Sequence, residues 1–162
     1  MKAGRRNQRG FTLIEILVSS FLVSIGLFGL AKLQMEAIKS ANDGYLFTQA
    51  ALLGEEMSER MRANPTGAAS YVTKLNKQYK AKKNCHSTKC NATQLADQDL
   101  EDWIANVTTA LPEGEAAVER APGSTNNYSV VVKWRGFSDG NCDAASSAGS
   151  AYWCFRLNLE ES

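Results

Sequence analysis

A continuous apolar run near the N-terminus limits what this chain of 162 residues can fold into. Residues 11 to 31 consist of Phe, Leu, Ile, Val, Ala, Gly, Ser and Thr, apart from one charged residue, Glu15. About 20 such residues in a helix are enough to cross the hydrocarbon core of a bilayer. The run therefore predicts a membrane-spanning helix, and it leaves a carboxylate whose presence at that depth needs an explanation.

The helical pattern continues beyond the apolar run. No proline occurs before Pro65, and apolar side chains recur every three or four residues, which is the spacing of one helix face. They form one stripe of Leu46, Ala50, Leu53, Met57 and Met61 and a neighbouring stripe of Ala37, Ile38, Ala41 and Tyr45. The sequence thus predicts one helix from Phe11 to about Ala63, ended by the turn that begins at Asn64-Pro65. Because a bilayer needs less than half of this helix, residues 32 to 64 must lie outside the membrane.

Residues 65 to 162 are predicted to cover that outer part as a small α+β head. Residues 68 to 81 have a weak helical pattern, and a clearer helix is predicted from about Asp97 to Ala110, with acidic residues in its first turn. Alternating apolar residues predict three antiparallel strands, at residues 116 to 120, 128 to 134 and 152 to 159. A loop rich in Gly, Ser and Ala is expected at residues 136 to 151.

The four cysteines all lie beyond the predicted membrane span. An even number on the exported side of a membrane indicates two disulfides, and three pairings are possible. We expect the two pairings that close the shortest loops, Cys85 with Cys90 and Cys142 with Cys154. The alternative is a zinc site formed by the thiols and His86, but the cysteine spacing lacks the paired CxxC pattern of structural zinc sites. His86, the sole histidine, is expected to be an exposed loop residue.

Basic residues precede the apolar run without any acidic residue, which favours a cytoplasmic N-terminus and export of the rest of the chain. Removal of residues 1 to 10 would lower the number of Lys plus Arg from 18 to 14 against 17 Asp plus Glu, and the formal net charge from +1 to −3. This balance predicts no nucleic-acid partner. A second basic cluster is expected to be a solvated surface, with contact to a partner or a polyanion as the alternative; it consists of Lys74, Lys77, Lys80, Lys82 and Lys83.

The sequence contains no recognisable enzyme motif. It has neither a phosphate-binding loop nor a GxSxG motif, and a single histidine in an expected disulfide loop is a poor catalytic base. We therefore expect no enzymatic activity, no cofactor and no metal site.

The residues RGFTLIEILV, from Arg9 to Val18, resemble the class III signal of type IV pilins and pseudopilins. The resemblance implies that a prepilin peptidase cuts between Gly10 and Phe11 on the cytoplasmic face, that Phe11 is then N-methylated, and that the apolar helix is retained. It also implies that Glu15 pairs with the terminal amine of a neighbouring subunit and sets the register of assembly.

The same resemblance implies the α+β type IV pilin fold, in which the outer half of a long N-terminal helix packs on a small antiparallel sheet with short helices. Four parts are expected: a basic leader at 1–10, a transmembrane and fibre-core half of the helix at 11–31, its outer half at 32–64, and a periplasmic or extracellular head at 65–162. Major pilins usually have a proline shortly beyond the membrane half, and this chain has none there. The chain therefore departs from the major-pilin pattern at the position of the usual kink.

Residues 26 to 65, which end in Met57-Ser58-Glu59-Arg60-Met61-Arg62-Ala63-Asn64-Pro65, resemble the PilV-type minor pilins, also called pilus modification proteins. This implies a subunit of the inner membrane and later of the fibre tip, which helps to initiate pilus assembly. The implied partners are the prepilin peptidase, other minor pilins, a tip adhesin and the major pilin. The alternatives are a minor pseudopilin of a type II secretion system and an adhesin or DNA-uptake pilin, for which the lysine cluster is the one suggestive feature.

Overall fold

The computed structural model of the protein describes residues 10–121, 123–124, 127–137 and 152–160. Its elements in chain order are helix α1 (Leu13–Ala63), a 3-10 helix (Pro65–Tyr71), strand β1 (Thr73–Asn76), helix α2 (Ala92–Ala110) and strands β2 (Glu115–Arg120), β3 (Asn127–Arg135) and β4 (Tyr152–Glu160). The predicted α+β architecture with one long N-terminal helix is confirmed. The chain divides into two compact units, with the boundary between Ile38 and Lys39 inside α1.

The first unit is the apolar part of α1. Two of its hydroxyl side chains are satisfied within the helix: Ser19 donates to the Glu15 carbonyl at 2.7 Å, and Ser24 donates to the Ser20 carbonyl at 2.8 Å. Bonds of this kind, four residues back, remove the cost of placing a free hydroxyl in an apolar environment. Ser19 and Ser24 are therefore compatible with a helix that lies in lipid or among other helices.

The second unit has a core formed by three surfaces. The stripe predicted on α1 is buried at Leu46, Ala50, Met57 and Met61, whereas Tyr45 of the neighbouring stripe is exposed. It packs with buried side chains of α2 and of the sheet, namely Leu100, Trp103, Ile104, Val107, Tyr128, Val130, Val132 and Trp134. The indole of Trp103 donates to the Leu53 carbonyl at 2.7 Å, so that a buried polar group is satisfied where α2 meets α1.

The sheet has four antiparallel strands in the order β1-β2-β3-β4, one more than the sequence predicted. The additional strand, β1, pairs irregularly with β2, with Thr73 opposite Val118 and Asn76 opposite Ala116. The predicted helix at residues 68 to 81 is wrong, because the segment forms the end of the 3-10 helix and then β1. Backbone pairing with the exposed edge of β2 outweighs a weak local helix preference.

Helix α2 begins at Ala92, five residues earlier than predicted. Its N-cap is Asn91, whose side chain accepts from the Gln94 backbone N–H at 2.9 Å, while the Gln94 side chain accepts from the Asn91 backbone N–H at 3.2 Å. This capping box satisfies two backbone donors at the helix start. The prediction that Asp97, Asp99 and Glu101 occupy the first turn is therefore wrong.

Gly114 lies where the chain turns from α2 into β2, and we predict that Gly114→Ala destabilises the head. A Cβ atom at this position would meet the Val107 carbonyl oxygen at 2.5 Å and the Leu111 carbonyl oxygen at 3.1 Å, and neither backbone group can move freely. We expect a loss of about 2 kcal/mol in the free energy of unfolding. Urea unfolding of the full chain in detergent, followed by tryptophan fluorescence, measures this, because all three tryptophans lie in the second unit.

The matched control is Gly44→Ala. A Cβ atom at Gly44 has no heavy atom within 4 Å, and the residue lies within a helix, so alanine should stabilise the protein by about 0.5 to 1 kcal/mol. Equal effects of the two substitutions would contradict the assigned packing of the turn after α2.

Candidate processing and assembly site

The predicted cleavage bond lies just outside the helix. Helix α1 begins at Leu13, and its first turn forms on the Thr12 carbonyl, which accepts from the backbone N–H of Glu15 at 3.1 Å and of Ile16 at 3.3 Å. Gly10 and Phe11 therefore precede the hydrogen-bonded turns, and both are exposed. A peptidase can bind an exposed, non-helical peptide bond without first unwinding a helix.

Glu15 lies in the first turn of α1, and its side chain is exposed. Within the part of the chain that the structure describes, its carboxylate has no hydrogen bond or ion pair. The position near the helix N-terminus is electrostatically favourable for a negative charge. The carboxylate is therefore available to a cationic partner close to residue 11.

The apolar part of α1 has no cover from the described chain. An 18-residue window of this helix reaches a mean hydropathy of 2.2, and none of the window is buried. Its large side chains are widely exposed, for example Leu13 and Phe28, both at 78%. An apolar surface of this size is typical of a region that lies in lipid or packs against other proteins.

Two family models match adjacent segments of the chain. The prokaryotic N-terminal methylation motif matches residues 5–31, and the Tt1218-like model, described as type IV pilin Tt1218, matches residues 32–101. The chain belongs to the type IV pilin family. No curated protein sequence and no solved structure matches this pilin.

The match at the N-terminus bears on the processing and the location of this pilin. The methylation motif implies processing by a prepilin peptidase and partners within a pilus, and it fits a membrane-anchored subunit that later enters the fibre. The family is structural and not enzymatic. The part that the Tt1218-like model matches extends from the outer part of α1 to α2.

The end of α1 is held to the rest of the head by a polar network around Asp99. One carboxylate oxygen of Asp99 accepts from the Arg60 guanidinium at 2.9 Å, and the other accepts from the Tyr71 hydroxyl at 2.6 Å. Burial, together with the hydrogen bond to Asp99, raises the pKa of Tyr71 well above its usual value. Asn64 donates to the Ala92 carbonyl at 2.8 Å. The network thus joins α1, the 3-10 helix and α2.

We predict that Asp99→Ala lowers the free energy of unfolding of this pilin by about 2 to 3 kcal/mol. The substitution removes the acceptor of the buried Tyr71 hydroxyl and one partner of Arg60, so that both are left without their hydrogen bonds to this carboxylate. Glu59→Ala is the matched control, because the Glu59–Arg62 ion pair is about two-thirds exposed on both sides. That change should cost less than about 0.5 kcal/mol. Similar costs for the two variants in urea unfolding would refute the assigned role of the network.

The segment after β1 is fastened to α2 by acceptor side chains. The Ala81 backbone N–H donates to Glu101 at 3.1 Å, the Lys82 backbone N–H donates to Asp97 at 2.7 Å, and the Cys85 backbone N–H donates to Gln98 at 3.2 Å. Asp97 and Glu101, which the sequence placed at the helix start, therefore hold a neighbouring segment instead. This role depends on backbone groups that a sequence pattern does not reveal.

Tyr79 makes this attachment sensitive to alkaline pH. Its hydroxyl donates to Asp97 at 2.5 Å, and burial, followed by the bond to Asp97, raises the pKa of Tyr79 from 10.0 to about 12. Because the folded-state pKa is the higher one, the stabilisation is complete below pH 10 and is lost as the pH rises from 10 to 12. We predict that Tyr79→Phe weakens the pH dependence of urea unfolding over this range. An unchanged pH dependence in Tyr79→Phe would count against the assignment.

The predicted disulfide between Cys85 and Cys90 is confirmed. Cys142 lies outside the described residues, so the pairing of Cys142 with Cys154 stays a prediction. His86 is exposed, and its ring lies 3.1 Å from the Asp102 carboxylate. Within the described ranges, no group of three His, Cys, Asp or Glu side chains is arranged to hold a metal ion.

One functional residue that the sequence pattern did not indicate is Asp43 of α1, a carboxylate that is only 6% exposed. Its carboxylate accepts from the Phe137 backbone N–H at 2.7 Å. It therefore holds the chain where it leaves β3. The available signal was the position of an acidic residue three places before Leu46, on the stripe that the pattern assigned to the core.

Proposed function

We propose that this pilin is a minor subunit, which helps to initiate pilus assembly as part of a priming complex at the fibre tip. The observation that carries the proposal is the unburied apolar helix directly behind the exposed Gly10–Phe11 bond. Such a helix is suited first to the membrane and then to packing with other subunits. Its function is structural, and chemical energy for assembly comes from other proteins.

The minor role is supported by two features of α1. The helix runs from Leu13 to Ala63 and contains no proline, unlike the helices of most major pilins. Its last turns resemble the ending typical of PilV-type minor pilins. In this chain Met57 and Met61 contribute to the core, and Arg60 contributes to the Asp99 network. The ending thus has a defined structural role in this head.

The proposed processing follows the chain in order. The prepilin peptidase removes residues 1–10 and methylates the new amine of Phe11, while residues 11–31 stay in the inner membrane. The N-terminus faces the cytoplasm, and the head, residues 65–162, is periplasmic and follows the outer half of the helix, residues 32–64. On assembly, residues 11–31 become part of the fibre core.

Glu15 has the register role in this proposal. The new cation on Phe11 of one subunit and the Glu15 carboxylate of the next attract each other strongly, because the fibre core and the bilayer have a low dielectric constant. Pairing neutralises both groups. A subunit displaced by one helical turn would leave both charges unpaired in an apolar environment.

Partner identification tests the proposal. An affinity tag on the C-terminus allows the chain to be purified from membranes and from sheared fibres of its own host after mild crosslinking. We expect other minor pilins, the tip adhesin and the major pilin as partners, with this chain much less abundant than the major pilin. Co-purification of type II secretion components instead would assign it as a minor pseudopilin, and abundance equal to that of the major pilin would overturn the minor role.

A further inference from the structure

Among the described residues, the lysine segment, residues 74 to 90, has one ion pair with the rest of the head, between Lys77 and Glu115 at 3.7 Å, and most of its charge is not neutralised. The segment contains six of the ten lysines of the chain and no acidic residue. Two basic side chains of β3 and β4 are paired: Lys133 lies 3.4 Å from Glu115, and Arg156 lies 3.0 Å from Glu119. By contrast, the four lysines of the segment that follow Tyr79 form no ion pair with the described residues, namely Lys80, Lys82, Lys83 and Lys89.

The nearby carboxylates do not neutralise these lysines because they bind other groups. Both oxygens of Asp97 are occupied, one by the Tyr79 hydroxyl and the other by the Lys82 backbone N–H. Glu101 accepts from the Ala81 backbone N–H at 3.1 Å, and Asp102 lies beside His86. The acidic side of α2 thus fixes the backbone of the lysine segment, and among the described residues it forms no ion pair with the ammonium groups of that segment.

A cleft lies between this segment and α2. It has a volume of about 540 Å³ and is lined by Ser70, Tyr79, Lys82, Lys83, Thr93, Gln94 and Asp97. Lys83 is held in place, since its ammonium donates to the Lys89 carbonyl at 2.6 Å and to the Gln94 side chain at 3.3 Å. Lys82, Ser70 and Thr93 have no side-chain hydrogen bond within the described ranges. The cleft therefore combines two cations with free hydroxyl groups.

We propose that this cleft binds an acidic polysaccharide, with uronic acid carboxylates on Lys82 and Lys83 and sugar hydroxyls on Ser70, Thr93 and Gln94. A carboxylate and an ammonium form short, charge-assisted hydrogen bonds, while hydroxyl and amide side chains can both donate to and accept from sugar hydroxyls. The volume is that of a small-ligand site. This binding goes beyond the structural role in the pilus.

The composition of the cleft favours a glycan over a nucleic acid. Surfaces that bind single-stranded nucleic acid stack successive bases on several aromatic rings. Among the described residues, one aromatic ring lines the cleft, that of Tyr79, and its hydroxyl is held by Asp97. The charge is also local, since removal of the leader leaves a formal net charge of −3. A polymer with one negative charge per sugar and many hydroxyl groups matches this surface better than a polyphosphate does.

The test uses the full chain in a non-ionic detergent and a fluorescent oligogalacturonate as probe, with neutral dextran and single- and double-stranded DNA as competitors. We expect saturable binding that weakens with salt and that neither dextran nor DNA displaces at equal mass. The double variant Lys82→Gln/Lys83→Gln should lower the affinity about tenfold. The double variant Lys74→Gln/Lys77→Gln removes the same charge from the same segment outside the cleft, and it should change the affinity less than about twofold.

The single variant Lys82→Gln is a control for misfolding, because the exposed Lys82 ammonium forms no hydrogen bond or ion pair with the described residues. We expect this variant alone to weaken binding. Unchanged tryptophan fluorescence and unfolding midpoints confirm that each variant is folded. The proposal is overturned if oligogalacturonate does not bind, if the two double variants weaken binding equally, or if DNA displaces the probe. The last result would indicate a nucleic-acid surface instead.

Discussion

Glu15→Ala is expected to remove this pilin from fibres, while cleavage of the leader proceeds normally. An ionised carboxylate at bilayer depth costs about 3 kcal/mol, and alanine has no such cost, so membrane insertion is not impaired. The loss occurs at assembly, where the Phe11 amine of a neighbour would have no partner. Removing one member of a buried ion pair costs about 3 to 5 kcal/mol, which corresponds to a factor of about 100 or more in an equilibrium constant.

The measurement is the ratio of this pilin in sheared fibres to this pilin in the membrane. Glu36→Ala is the matched control, since Glu36 is an exposed carboxylate on the same helix beyond the apolar run. Glu15→Gln keeps the size and the hydrogen-bonding oxygen without the charge, and it should fail as Glu15→Ala does. Normal amounts of Glu15→Ala in fibres would show that the carboxylate does not set the register.

Gly10→Val is expected to leave the precursor uncut. A Cβ atom at Gly10 has no heavy atom within 4 Å, so a side chain at this position has no effect on the fold itself. Any effect must arise in the peptidase, which has to accommodate the residue before the cut bond. We expect at least about a tenfold decrease in cleavage rate, the effect of a barrier increase of about 1.4 kcal/mol.

The processed and unprocessed forms separate by mass, since they differ by ten residues. Ala3→Val makes a similar change within the leader but away from the bond, and it should be cut normally. If Gly10→Val were processed at the normal rate, the cleavage site would have to lie elsewhere in the chain.

Several parts of the fold could be predicted from the sequence because their signals are local. The stripe at Leu46, Ala50 and Met57 has the helical period of a buried face, and it lies in the core as expected. The alternation from Tyr128 to Trp134 likewise predicted β3, although the intervening Ser129 and Val131 are buried as well as the alternating apolar face. The absence of proline before Pro65 correctly indicated one continuous helix.

Other parts depend on distant contacts and were missed for that reason. Strand β1 forms because its backbone pairs with the edge of β2, and no pattern within residues 73 to 76 indicates this pairing. The start of α2 has a local signal, the Asn91 and Gln94 capping box, but the acidic residues farther along the helix also fit the pattern of a first helical turn. Asp99 joins Arg60 and Tyr71 across 39 and 28 positions of the chain, so its role depends on the fold.

The most direct test of the central claim, that the chain is processed as a pilin and retains its apolar helix, is the mass of the protein in membranes of cells with and without a prepilin peptidase. With the peptidase, we expect a chain that begins at Phe11, carries one added methyl group and still contains residues 11–31. Without it, we expect the full-length chain. A chain of full length in both cases, or one that has lost the apolar run, would contradict the account.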